Sequence, residues 1–171
     1  MVVQAYDKNL EVNGQYLLGI IGSLQEDEVK PYREKHGLTE IDPNEWYSAG
    51  QVFNFYNDIA NAPNGMFNLV AIGLNVVKSM EFPPHVRTMS DALKMAREMH
   101  YAAWRNGMPG DLKVEQFDEN HVRFTFENLP LPNDLIYGLC YGMVKRFAPP
   151  GANIAVVNEV RDNALIYNMT W

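Results

Sequence analysis

The chain is poor in the residue types that carry most sequence signatures. It has one cysteine, Cys140, in 171 residues. That excludes an intrachain disulfide and any cysteine-based zinc site. Basic residues are few and scattered: 14 Lys and Arg stand against 21 Asp and Glu, for a formal net charge of −7. Lys145-Arg146 is the only adjacent basic pair. Phosphate backbones are held by clustered Lys and Arg, so we expect no nucleic-acid partner. Long apolar runs are missing as well. The longest, over residues 16–22, falls far short of the roughly 20 residues that span a bilayer, so we expect no membrane span. The opening residues, MVVQAYDKNLEV, lack the basic start and apolar block of a signal peptide. With one cysteine and no such segment, the expected setting is reducing and cytoplasmic. There is no His-Glu-x-x-His, no paired cysteine, no Gly-x-Ser-x-Gly and no glycine-rich phosphate loop, so the commonest catalytic and metal-binding signatures are absent.

What is present is a core. Hydrophobic residues make up 47% and aromatics 12%, enough for one globular domain over residues 1–171. Residues 1–12 read as short and extended. Asn13 is placed to cap a helix over 14–25, with Gly19 and Gly22 inside it for close packing. A second helical piece, 26–36, ends at Gly37. Asp42-Pro43-Asn44-Glu45 carries the signature of a helix start and predicts a helix over 43–61. Another, over 65–80, is apolar nearly all round and reads as the buried centre. Phe82-Pro83-Pro84 breaks it.

A helix over 89–106 is predicted next, starting at Thr88 or Ser90 and closing at Gly107. Steps of 100° place Ala92, Leu93, Met95, Ala96, Met99, Ala102 and Ala103 on one broad apolar arc. His100 falls inside that arc toward one edge, beside Trp104. Two period-two runs, around 112–117 and 122–126, with Asp118-Glu119-Asn120 between them, predict a hairpin. Asn133 or Asp134 is placed to cap a last helix over 134–147, in which Gly138 and Gly142 stand four apart. A second hairpin, 154–159 and 164–171, closes the chain. The pattern predicts an α+β domain: a helical N-terminal half, then a β-β-α-β-β module with a four-stranded antiparallel sheet.

This order of elements resembles the superfamily of haem–nitric-oxide-binding domains, 4-vinyl-reductase domains and Bet3-type vesicle-tethering subunits. The stretch from Phe82-Pro83 to His100 looks like the helix that carries the haem-ligating histidine in the haem-binding branch. LIYGLCYGM at 135–143 looks like the Gly-x-x-x-Gly helix shared by several branches. The resemblance implies a sensory or regulatory domain that holds a small apolar ligand, with haem as the implied cofactor, and signals to a separate partner protein. It also favours a homodimer, through Gly138 and Gly142 if they pair two chains and not two elements of one. Two departures stand out. The haem-binding branch holds the haem propionates with a Tyr-x-Ser-x-Arg motif, where this chain reads Phe124-Thr125-Phe126-Glu127-Asn128. The 4-vinyl-reductase branch often ends in a cysteine-rich hairpin, and the last hairpin here has none.

Against that background His100 is the foremost candidate. A neutral imidazole on an apolar face can ligate haem iron axially; the plainer reading is a core-edge histidine hydrogen-bonded to a carbonyl. Leu93, Met95, Met99 and Trp104 are the expected pocket wall, and Tyr137 and Tyr141 the expected aromatic lining from the last helix. His85, after two prolines, is a second possible ligand or turn decoration. His36 reads as a helix C-terminal residue and His121 as a strand residue at a turn. Cys140, mid-helix in apolar company, reads as core. Trp46, Phe53, Tyr56, Phe67, Trp104, Tyr137 and Tyr141 read as mostly core. Glu26, Asp27 and Glu28 read as a solvated helix turn. The rival reading is a small reductase or isomerase for a tetrapyrrole-like or aromatic substrate. Its acid–base pair would have to come from His100, Tyr101 or Tyr137, and Glu127. A further rival is a structural dimeric interaction subunit.

Overall fold

The computed structural model describes residues 7–21 and 26–171, and no side chain between 26 and 28. The helix expected to run to 25, with Gly22, and the cluster Glu26-Asp27-Glu28 therefore lie wholly or partly outside the described side chains.

The described elements run β1 (Glu11–Asn13), α1 (Gly14–Ile21), α2 (Glu26–Lys35), β2 (Trp46–Ser48), α3 (Ala49–Asn61), α4 (Gly65–Ser79), α5 (Met89–Ala102), β3 (Trp104–Arg105), β4 (Asp111–Asp118), β5 (His121–Glu127), α6 (Asn133–Phe147), β6 (Ala155–Arg161) and β7 (Ala164–Thr170). The predicted α+β class and four-stranded sheet are both present. That sheet is antiparallel in the order β4-β5-β7-β6. β5 alternates with period two: Val122, Phe124 and Phe126 are buried, and Tyr167 and Met169 of β7 share their face. α6 packs on β7. The Tyr167 hydroxyl donates to the carbonyl oxygen of Asn133 at 2.9 Å, which pins the start of α6 to the sheet.

Glycine sets how closely α6 meets α4. A Cβ at Gly138 would lie 2.3 Å from the Val70 carbonyl oxygen, and one at Gly73 would lie 2.3 Å from that of Leu135. The two backbones touch, and neither position has room for a side chain. The Gly138 and Gly142 step therefore serves contact between two helices of one chain.

Several expectations need correction. The Asp42 signature does not start a helix. Its carboxylate accepts from the Asn44 amide at 2.8 Å, forming a turn. Trp46-Tyr47-Ser48 then pair with β1, so α3 begins only at Ala49. β1 also pairs with Trp104-Arg105, making a small sheet in the order β2-β1-β3 that sequence periodicity does not reveal. That pairing ends α5 at Ala102, a turn earlier than expected. The start of α5 is as predicted: Thr88 and Asp91 form a reciprocal capping box. The cap expected from Asn133 or Asp134 is not made. Pro132 precedes α6, and the Asn133 side chain bonds the Tyr167 hydroxyl instead. Phe67 is not core but 67% exposed, because it lies on the side of α4 opposite the buried Gly65 and Leu69.

Candidate functional site

A cavity of about 580 Å³ opens between the helical half and the four-stranded sheet, within the usual range for a small-molecule or cofactor site. α5 supplies one wall through Ala92, Ala96, Met99 and His100, spaced so that they share a face of the helix. α6 supplies the facing wall through Ile136, Leu139, Cys140 and Met143. The sheet contributes Leu112, Phe124 and Phe126, and the connection into α6 contributes Leu129 and Leu131. Tyr16, Val76, Val77, Phe82 and Trp104 add to the apolar lining. Polar residues gather at the rim: Asn13, Gln15, Ser79 and Glu81.

His100 is the distinctive group in this wall. Its Nε2 is buried and has no hydrogen-bond partner; Tyr56 Oη is the only other such side-chain atom among the described residues. Buried polar atoms are nearly always paired, so this orphan, on a residue that lines the cavity, is a polar atom the fold leaves unexplained. The Gly110 backbone accepts a hydrogen bond from the imidazole. With Nε2 unpartnered, that bond belongs to Nδ1, which leaves the Nε2 lone pair directed away from it. Tyr101 and Phe126 meet the ring edge to face, at centroid distances of 5.0 and 6.2 Å. Burial lowers the His100 pKa from 6.5, and the Gly110 hydrogen bond and the Asp111 charge oppose that shift in part. The neutral, ligating form is thereby favoured.

Behind His100 lies a polar network. The Tyr101 hydroxyl donates to Asp111, and Arg97 approaches the same carboxylate at 3.6 Å. Asp111 follows Gly110, so one short segment carries both the carbonyl for His100 and the carboxylate for Tyr101. Gly110 has φ +103°, and a Cβ there would lie 2.6 Å from the Glu127 carbonyl oxygen. Only glycine fits a backbone that turns in this way.

Of the residues expected at the site, His100, Met99 and Trp104 line the cavity; Leu93, Met95, Tyr137 and Tyr141 do not. Leu93 is buried in the core beside the lining stripe of α5. Tyr137 and Tyr141 stack on each other at 6.3 Å, on a part of α6 that does not line the cavity. Sequence reasoning missed Tyr16, Phe82, Phe124, Phe126 and the rim. The inward phenylalanines were visible in the alternation of β5; nothing in the sequence marked Tyr16. Cys140 is buried core, as expected, but it also forms part of the wall. Its thiol is pushed well up by burial alone.

The remaining histidines stand apart. His36 bonds Asp58 at 2.6 Å, His85 is exposed, and His121 packs on Phe117 at 4.7 Å. Among the described residues no cluster of three His, Cys, Asp or Glu side chains is arranged to hold a metal ion. No described helix is long and apolar enough to cross a membrane. Of the groups offered for acid–base chemistry, only His100 reaches the cavity. Glu127 is paired with Lys113, and Tyr101 with Asp111.

The fold therefore defines a class: a helical half set against a β-β-α-β-β module, with a histidine-bearing cavity between them. No protein-family model matches the chain, and no curated protein matches it. Solved structures do. A structure probing haem distortion in the H-NOX family matches with TM-score 0.65 at 17% identity, over 92% of this chain and 92% of that one. A variant H-NOX domain of T. tengcongensis matches with TM-score 0.65 at 17% identity, over 92% of this chain and 93% of that one. An oxygen-binding H-NOX domain related to soluble guanylate cyclases, in its oxygen complex, matches with TM-score 0.63 at 16% identity, over 91% of this chain and 89% of that one. The protein has the H-NOX fold.

Proposed function

We propose that the protein is a sensory ligand-binding domain that holds haem in this cavity with His100 Nε2 as the axial ligand. One observation carries the reading: a buried imidazole nitrogen without a partner, on a residue that lines a largely apolar cavity, with the opposite nitrogen engaged by the Gly110 backbone. That is the arrangement of a histidine prepared for a metal. The H-NOX fold adds support, since structures sharing it are described as binding oxygen and carrying a haem.

The residues fit haem at its iron and at its ring. Met99, Phe124, Phe126, Leu139 and Met143 supply the apolar contact that a macrocycle needs. When bound, the haem would supply an iron with a free coordination position for a diatomic gas. The chain's own part is mechanical. His100 sits near the end of α5, and a shift of its ring would be felt at Gly110 and, through Tyr101 and Asp111, at the partly exposed Arg97 side of the domain. A separate signalling protein would read that change. A homodimer gains nothing from Gly138 and Gly142, which are taken up within the chain. For the enzymatic rival, the other titratable groups of the lining are the exposed Glu81, the half-buried Tyr16 and the buried Cys140, and none of Tyr101, Tyr137 and Glu127 is among them.

Titration of haem into the purified protein tests the reading. A sharp Soret band in the wild type that is lost in His100→Ala is the expected result. An unshifted spectrum in the wild type, or an identical band in the variant, would retire His100 as the ligand.

A further inference from the structure

The cavity wall carries four titratable side chains, Tyr16, Glu81, His100 and Cys140, and no Lys or Arg. Residues 1–6 and 22–28, whose side chains are not described, contain no Lys or Arg in sequence either. The polar part of the lining is the rim, where Gln15, Ser79 and Glu81 are exposed to water. Arg146 reaches the same segment, but its Nη1 donates to the carbonyls of Val77 at 2.6 Å and Met80 at 2.8 Å. Its guanidinium also lies over the Phe82 ring at 4.5 Å. It caps the end of α4 and does not line the opening.

Haem carries two carboxylates. Burying either in the apolar part of this cavity without a cation is strongly unfavourable. They must stay at the rim or beyond it in water, and the one charged residue of that rim is itself a carboxylate, Glu81. Resting on the haem reading above, we propose that this is a site for exchangeable haem: iron and ring are held, the carboxylate edge is not anchored, and Glu81 opposes it. Occupancy would then follow the supply of free haem, making the ligand itself the signal. The same chemistry predicts a preference for a tetrapyrrole whose carboxylates are masked.

The test compares binding of ferric haem and of its dimethyl ester to the apo-protein, by absorbance titration, and the rate of haem transfer to apomyoglobin. The diester is expected to bind at least as tightly as haem. Glu81→Lys is expected to tighten haem roughly two- to fivefold, the size of an exposed charge pair, to slow its transfer, and to leave the diester unchanged. Glu81 is exposed, so the variant keeps its fold, which circular dichroism would verify. Haem bound more tightly than its diester, or an affinity for haem indifferent to Glu81→Lys, overturns the proposal and leaves the haem reading standing. Absence of a His100-dependent Soret shift with either compound overturns the haem reading and this proposal with it.

Discussion

The imidazole of His100 is hydrogen-bonded to the backbone of Gly110 on one side and has an unpartnered, buried Nε2 on the other. Ten residues separate the two in sequence, and the carbonyl is aimed by a backbone conformation that only glycine adopts with ease. The orientation of the one candidate ligand therefore depends on a residue with no side chain.

Replacing Gly110 tests that dependence. Gly110→Ala would set a methyl group 2.6 Å from the Glu127 carbonyl oxygen at φ +103°. Strain of this kind is worth about 1–3 kcal/mol. Urea unfolding should show a loss of that order, and nitrogen NMR of His100 should show its tautomer no longer fixed.

Asp111 adds charge to the same segment. Its carboxylate raises the pKa of His100, against the larger lowering by burial. Asp111→Asn should therefore move the His100 pKa further down, as read by proton NMR of the apo-protein. An upward shift would show that the Asp111 charge does not favour the imidazolium.

The sign of that shift also sets a pH dependence. The His100 pKa is lowered in the folded state from 6.5, so the unfolded chain binds the proton more readily. The neutral ring imposes no penalty above pH 6.5. As the pH falls below that value, stability is lost until the folded-state pKa is passed. Urea midpoints of the apo-protein at successive pH values should fall through this window, and fall less in His100→Gln.

How much of this was legible in sequence depends on which force decided each element. The capping box at Thr88, the alternation of β5 and the left-handed Gly37 rest on local chemistry, and they are where the pattern places them. Trp46 to Ser48 and Trp104-Arg105 form strands because they meet β1 from far along the chain. A local window sees only good helix continuations there. Likewise His100 was visible as a polar residue on an apolar arc, whereas its bond to Gly110 and the displacement of Tyr137 and Tyr141 onto another face of α6 arise from tertiary packing.

The contact of α4 with α6 gives a stability prediction. Gly138→Ala would place a Cβ 2.3 Å from the Val70 carbonyl oxygen. Overpacking of this sort is worth roughly 1–3 kcal/mol. The thermal midpoint should drop accordingly, and size-exclusion behaviour should not change, since the contact is internal.

Cys140 should be chemically silent. It is buried, and burial holds its thiol far up, so the reactive thiolate is scarce at neutral pH. A thiol reagent such as Ellman's should label the native protein no faster than global unfolding permits, and label it at once in denaturant.

The central claim is that His100 Nε2 binds the metal. Resonance Raman spectroscopy of the reduced, haem-loaded protein addresses it most directly. The account predicts an iron–histidine stretching band that disappears in His100→Gly and returns when free imidazole is added. A band of unchanged position and strength in the variant without imidazole would contradict it.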